Sequence, residues 1–193
     1  MLTDWKAVIG LVAGILALIA FIPYITSTLW GTTRPNKVTW WTWSVVQIFL
    51  TITFWQSSEN HEAIWVSIGY TAGIILIAIL SINYGHSSRL DLLSLMGIGA
   101  TVLVWISIGS LGGLMTIIMI DVWASLPTIR KSKTDPKSES LASWVIGFFA
   151  NTFNLLAITQ WNEWAILYPV YLFVLTGSVS FLLISNKMFR SNR

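Results

Sequence analysis

The chain has 193 residues, of which 55% are hydrophobic and only 10% charged, with a formal net charge of +3 and no cysteine. Soluble domains carry roughly 25% charged residues, so a water-facing globular surface is excluded, as are disulfides, thiol chemistry and cysteine-ligated metals. Runs of about 20 apolar residues recur along the whole length, which predicts an all-α integral membrane protein.

Seven spans are expected, at about 7–29, 38–56, 63–82, 90–109, 112–129, 140–158 and 163–185. Each is long enough to cross about 30 Å of hydrocarbon at 1.5 Å per residue. The first apolar run, Lys6 to Trp30, is too long for a signal-peptide core and lacks a basic leader, so it reads as a span. Between spans four and five only Gly109-Ser-Leu-Gly-Gly113 intervenes, where a Gly-Ser turn is expected.

Orientation follows from the basic residues in the short loops. Arg34, Lys37, Arg89, Arg130, Lys131, Lys133, Lys137, Lys187, Arg190 and Arg193 fall on one side of the seven-span plan. Lys6 lies on the other, with Glu59, Glu62 and Glu163. The expected placement is the plasma (inner) membrane, multi-pass, with the N-terminus outside and the C-terminus cytoplasmic. The basic residues are thereby accounted for as topology determinants, and no nucleic-acid partner is implied. His61 and His86 fall in loops on opposite sides, so no shared metal site and no cofactor are expected.

Of the tryptophans, Trp5, Trp55, Trp65, Trp161 and Trp164 fall near outer ends, and Trp30, Trp40 and Trp41 near the inner face, as interfacial anchors do. Trp43, Trp105, Trp123 and Trp144 lie deeper, where anchoring does not explain them.

One element occurs twice. Pro23 to Trp43 runs from an apolar segment through a proline and a short basic loop, then back at a tryptophan; Pro127 to Trp144 does the same. Pro35 and Trp43 match Pro136 and Trp144 at an offset of 101, Pro23 matches Pro127 at 104, and Tyr70 matches Tyr171 at 101. An offset across four spans keeps orientation, which predicts a 3+1+3 arrangement of two parallel three-helix bundles. The expected divisions are a first unit at 1–86, a linker helix at 87–111 and a second unit at 112–193. With its paired proline–basic-loop segments at 23–47 and 127–151, this plan resembles the PQ-loop/SWEET-like transporter superfamily, in particular its small bacterial members of unassigned substrate. The resemblance implies a membrane transporter working by alternating access through a central site between two repeats, and it allows a homo-oligomer. Departures are specific. Tyr24 and Thr128 stand where the family has glutamine after proline, Trp43 and Trp144 stand near where plant-type sugar carriers have proline, and Gly73 and Val174 stand where those carriers have asparagine.

Candidate site residues come from helical spacing. Trp43 and Gln47 share one face of span two; Trp144, Phe148 and Asn151 form a stripe on span six, with Asn154 one turn on. A tryptophan offers a flat apolar surface and a carboxamide a donor and an acceptor, which suits a small uncharged or zwitterionic solute. The alternative for the carboxamides is interhelical hydrogen bonding. Tyr70 and Tyr171 are candidates for lining the path, with packing as the alternative. Asp121 is the acid deep inside a span, a candidate for proton coupling or, protonated, for holding the bundle together. Pro23 and Pro127 are candidate gating kinks, the alternative being that each ends its helix. No nucleophile–base pair, phosphate loop or metal-ligand spacing is present in the sequence, so an enzyme is not expected. The expected function is transport of a small polar solute, sugar-like or vitamin-precursor-like. Vitamin-precursor carriers of the same fold use tryptophan-rich segments, which Trp40, Trp41 and Trp43 resemble. A non-transporting membrane receptor or scaffold on that fold is the alternative.

Overall fold

The computed structural model describes residues 5–57, 64–84, 88–108, 113–158 and 163–191. Within them the chain forms seven α-helices and no strand: α1 Trp5–Leu29, α2 Lys37–Ser57, α3 Ile64–Ser81, α4 Arg89–Ile108, α5 Gly113–Thr134, α6 Leu141–Ala157 and α7 Glu163–Ser191. A short 3₁₀ turn at Pro136–Ser138 precedes α6. Two helical stretches, Trp5–Leu29 and Ile166–Met188, are long and apolar enough to cross a membrane. The Gly-Ser turn expected at 109–113, both histidines, Glu59, Glu62, Trp161 and Arg193 fall at or within segments outside the described residues.

Helix limits follow local chemistry. Asn36 caps α2 by accepting the Thr39 amide at 3.0 Å. At the start of α4, Ser88 Oγ accepts the Asp91 amide and Asp91 Oδ2 accepts the Ser88 amide, a reciprocal capping box. Gly31, at φ 73°, ends α1 in the left-handed conformation open to glycine. Neither Pro23 nor Pro127 ends its helix: α1 continues to Leu29 and α5 to Thr134. Hydroxyls cover the backbone after Pro23. Thr26 donates to the Ile22 carbonyl at 2.9 Å, Ser27 to that of Pro23 at 2.5 Å and Thr28 to that of Tyr24 at 2.7 Å.

The chain divides into two compact units, one of residues 1–33 and 132–193, the other of residues 34–131. In the first, α1 packs on α6 and α6 on α7. Small residues bring the axes close: a Cβ on Gly10 would meet Ala157 at 3.6 Å, and one on Gly177 would meet the Phe148 ring at 3.0 Å. Lys6 Nζ donates to the Ile158 carbonyl at 2.7 Å, tying the start of α1 to the end of α6. In the second unit α2 packs on α3 and touches α4. Thr51 and Thr71 hydroxyls bond at 2.8 Å, and Gly97 of α4 leaves room for the indole of Trp123 from α5. Asn36 also donates to Asp91 Oδ1 at 2.8 Å, so the cap of α2 is joined to the cap of α4.

Candidate functional site

Each unit holds a buried polar cluster beside a proline turn. In the first unit Tyr24, directly after Pro23, and Trp144 of α6 both turn inward onto Glu139. The Tyr24 hydroxyl donates to Glu139 Oε2 at 3.1 Å, and Trp144 Nε1 donates to the same oxygen at 2.9 Å. All three are buried: Tyr24 is 2% exposed, Glu139 6% and Trp144 7%. A buried carboxyl is costly unless donors compensate its lost water, and here two aromatic side chains from two helices supply them. The extended backbone of Glu139, between the 3₁₀ turn and α6, aims the side chain inward.

In the second unit the corresponding element is made of hydroxyls. Thr128, directly after Pro127, donates to Thr39 Oγ1 at 3.0 Å, and Thr39 Oγ1 donates to the Ala124 carbonyl at 2.6 Å. Thr39 and Thr128 are buried. Deeper in α5, Asp121 is 3% exposed, and it lies within electrostatic reach of the Tyr70 hydroxyl on α3. The candidate coupling acid and one candidate path tyrosine thus feel one another electrostatically across α3 and α5, a relation that spacing along one helix does not reveal.

The other candidates distribute as follows. Trp43 packs edge-to-face on Trp40, with centroids 5.2 Å apart at 79°; Gln47 is half-buried on the same helix. On α6, Phe148 and Asn151 of the predicted stripe meet α7. Phe148 lies 5.1 Å from Phe173 by ring centroid, and Asn151 Nδ2 donates to the Gly147 carbonyl at 3.0 Å with Thr176 Oγ1 at 3.5 Å. Asn154 is exposed. Tyr171 is half-buried and packs against Tyr168, centroids 6.0 Å apart. Among the described residues no three acidic or histidine side chains gather as metal ligands would.

Glu139 and Asp91 are absent from the candidates drawn from sequence, because Glu139 falls between spans and Asp91 at the very start of span four. The signal for Asp91 is the Ser88-x-x-Asp91 spacing ahead of an apolar run. For Glu139 the only signal is an acid flanked by Ser138 and Ser140 just before α6, which is weak on its own. Compared with known proteins, the chain matches no family model, no curated protein and no solved structure.

Proposed function

We propose that this chain is a multi-pass membrane transporter on the PQ-loop/SWEET-like plan, moving a small uncharged or zwitterionic solute by alternating access. The observation that carries the reading is an inverted distribution of polarity. The interiors of the units hold Thr28, Thr39, Ser94, Asp121, Thr128, Glu139 and Ser180, while Leu11, Ile22, Phe49, Leu92, Met96, Leu103 and Phe181 are exposed. Water penalises extended apolar patches of this kind, whereas hydrocarbon accepts them and instead penalises exposed polar groups. α2 to α6 have 21, 18, 20, 22 and 17 residues. At 1.5 Å per residue that is about 26–33 Å, close to the roughly 30 Å of a hydrocarbon core.

A polar interior in such a setting marks either interhelical hydrogen bonding or a path for solute and ions. Asp121, buried and within electrostatic reach of Tyr70, supports proton coupling, and helices that run on through Pro23 and Pro127 supply places to bend. Trp43, Gln47, Trp144, Asn151, Asn154, Tyr70 and Tyr171 remain the residues assigned to the solute. The lysines and arginines of the connecting segments support an outside N-terminus.

Uptake into proteoliposomes tests the proposal, with a panel of sugars, amino acids and vitamin precursors, with and without an imposed proton gradient. Transport predicts saturable uptake of at least one class. Tight binding with no uptake under any gradient overturns it in favour of a membrane receptor.

A further inference from the structure

The residue after each mid-helix proline makes the same kind of contact. Tyr24 reaches from α1 to Glu139, in the segment that leads into α6. Thr128 reaches from α5 to Thr39, in the first turn of α2. Each bond therefore runs from a proline turn to the start of another helix. A proline turn lacks one amide donor and bends more readily than the rest of its helix, so a side-chain bond one residue on restrains the place where bending begins.

We infer that Tyr24–Glu139 and Thr128–Thr39 are latches on the two proline turns, and that Glu139 and Thr39 are gating residues alongside Pro23 and Pro127. The two latches differ in chemistry. In the first, one carboxyl oxygen collects ring donors from α1 and α6, so releasing Tyr24 leaves Glu139 still bonded to Trp144. In the second, Thr39 is a relay: it accepts from Thr128 and donates to the Ala124 carbonyl, so α5 grips one hydroxyl at two successive turns. Each latch lies wholly within its own unit and opens without the other. The first holds a bend in α1, the second a bend in α5.

The role in gating rests on the transport reading; the restraint itself does not, and it is measurable without a solute. The native chain has no cysteine, so a single introduced thiol reports on one place. Thr28→Cys puts the thiol one turn past Tyr24, at a position that is 0% exposed, and Ser125→Cys puts it just before Pro127, at a position that is 2% exposed. Labelling of the purified full chain by a small maleimide then follows how often each turn opens.

Tyr24→Phe is expected to raise labelling in the Thr28→Cys chain about three- to tenfold, the shift in an opening equilibrium that one lost buried hydrogen bond produces. It should leave labelling in the Ser125→Cys chain unchanged. Thr128→Val should do the reverse. Glu139→Leu and Thr39→Val repeat the comparison from the acceptor side, for the case that a first variant does not fold. Unchanged labelling in all four variants overturns the latches, and so does an equal rise at both thiols, which reports general loosening. Failure of the uptake experiment, by contrast, removes the transport reading and leaves the labelling result standing.

Discussion

Tyr24 and Glu139 lie 115 positions apart in the chain, yet the tyrosine hydroxyl meets the glutamate carboxyl at 3.1 Å inside one packed unit. Trp144 completes the group on the same oxygen. Removing the acceptor is expected to cost more than removing either donor. Glu139→Ala strands two buried donors, each worth about 1–3 kcal/mol when left unsatisfied, so a loss of about 2–5 kcal/mol is expected. Glu139→Gln keeps an acceptor oxygen and should lose about 1 kcal/mol. Thermal unfolding in detergent, compared across the two variants, checks the order.

Trp144 and Trp43 occupy matching places in the sequence but different surroundings. Trp144→Phe keeps an aromatic ring while losing the donor to Glu139, and about 1 kcal/mol of destabilisation is expected. Trp43→Phe retains the edge-to-face contact with Trp40 and should be milder on stability while still changing uptake. An equal loss of stability for the two variants would count against the distinction.

Two glycines of α4 give opposite expectations. A Cβ on Gly97 would fall within the Trp123 indole, whereas one on Gly99 would meet nothing within 4 Å. Gly97→Ala should therefore force α4 and α5 apart locally, at about 1–3 kcal/mol. Gly99→Ala should be neutral or stabilise by up to about 1 kcal/mol through helix propensity. Midpoints of thermal unfolding separate the two.

Asn36 both caps α2 and donates to Asp91 at the start of α4. Asn36→Ala removes both, with an expected loss of about 1–3 kcal/mol. Asn36→Asp keeps the cap but sets an acid against Asp91, so it should be no better than alanine at low ionic strength and recover with added salt. Unfolding at two salt concentrations reads this.

For transport, Asp121→Asn is expected to abolish the response of uptake to a proton gradient while solute binding persists. Uptake with and without the gradient, set against binding measured in detergent, checks it. A response equal to that of the native chain would remove Asp121 from coupling.

Helix limits show which properties are local. Span five was expected to close at 129 and span seven at 185, whereas α5 runs to Thr134 and α7 to Ser191. Hydropathy marks where a segment turns polar, but a helix stops where its backbone bonding stops. Lys131, Ser132 and Lys133 are compatible with a helix. The break comes at Asp135, whose backbone the following Pro136 holds away from the helical region. Pro23 and Pro127 do not break α1 and α5 because a proline forfeits one internal bond, and helices that pack on neighbours absorb that loss.

By itself the sequence determined the helical class, the seven helices found among the described residues, and the residue types available for chemistry, since all of these depend on neighbours within a few turns. The tertiary structure decided which polar groups share a site. Tyr24 joins Glu139 and Trp144, Thr128 joins Thr39, and Asp121 comes within electrostatic reach of Tyr70, because folding buries those groups where they must find partners within the protein. Periodicity along a helix says which face a residue occupies. It carries no information on which distant helix meets that face, and the identity of that helix makes Glu139 a buried acceptor between two aromatic donors.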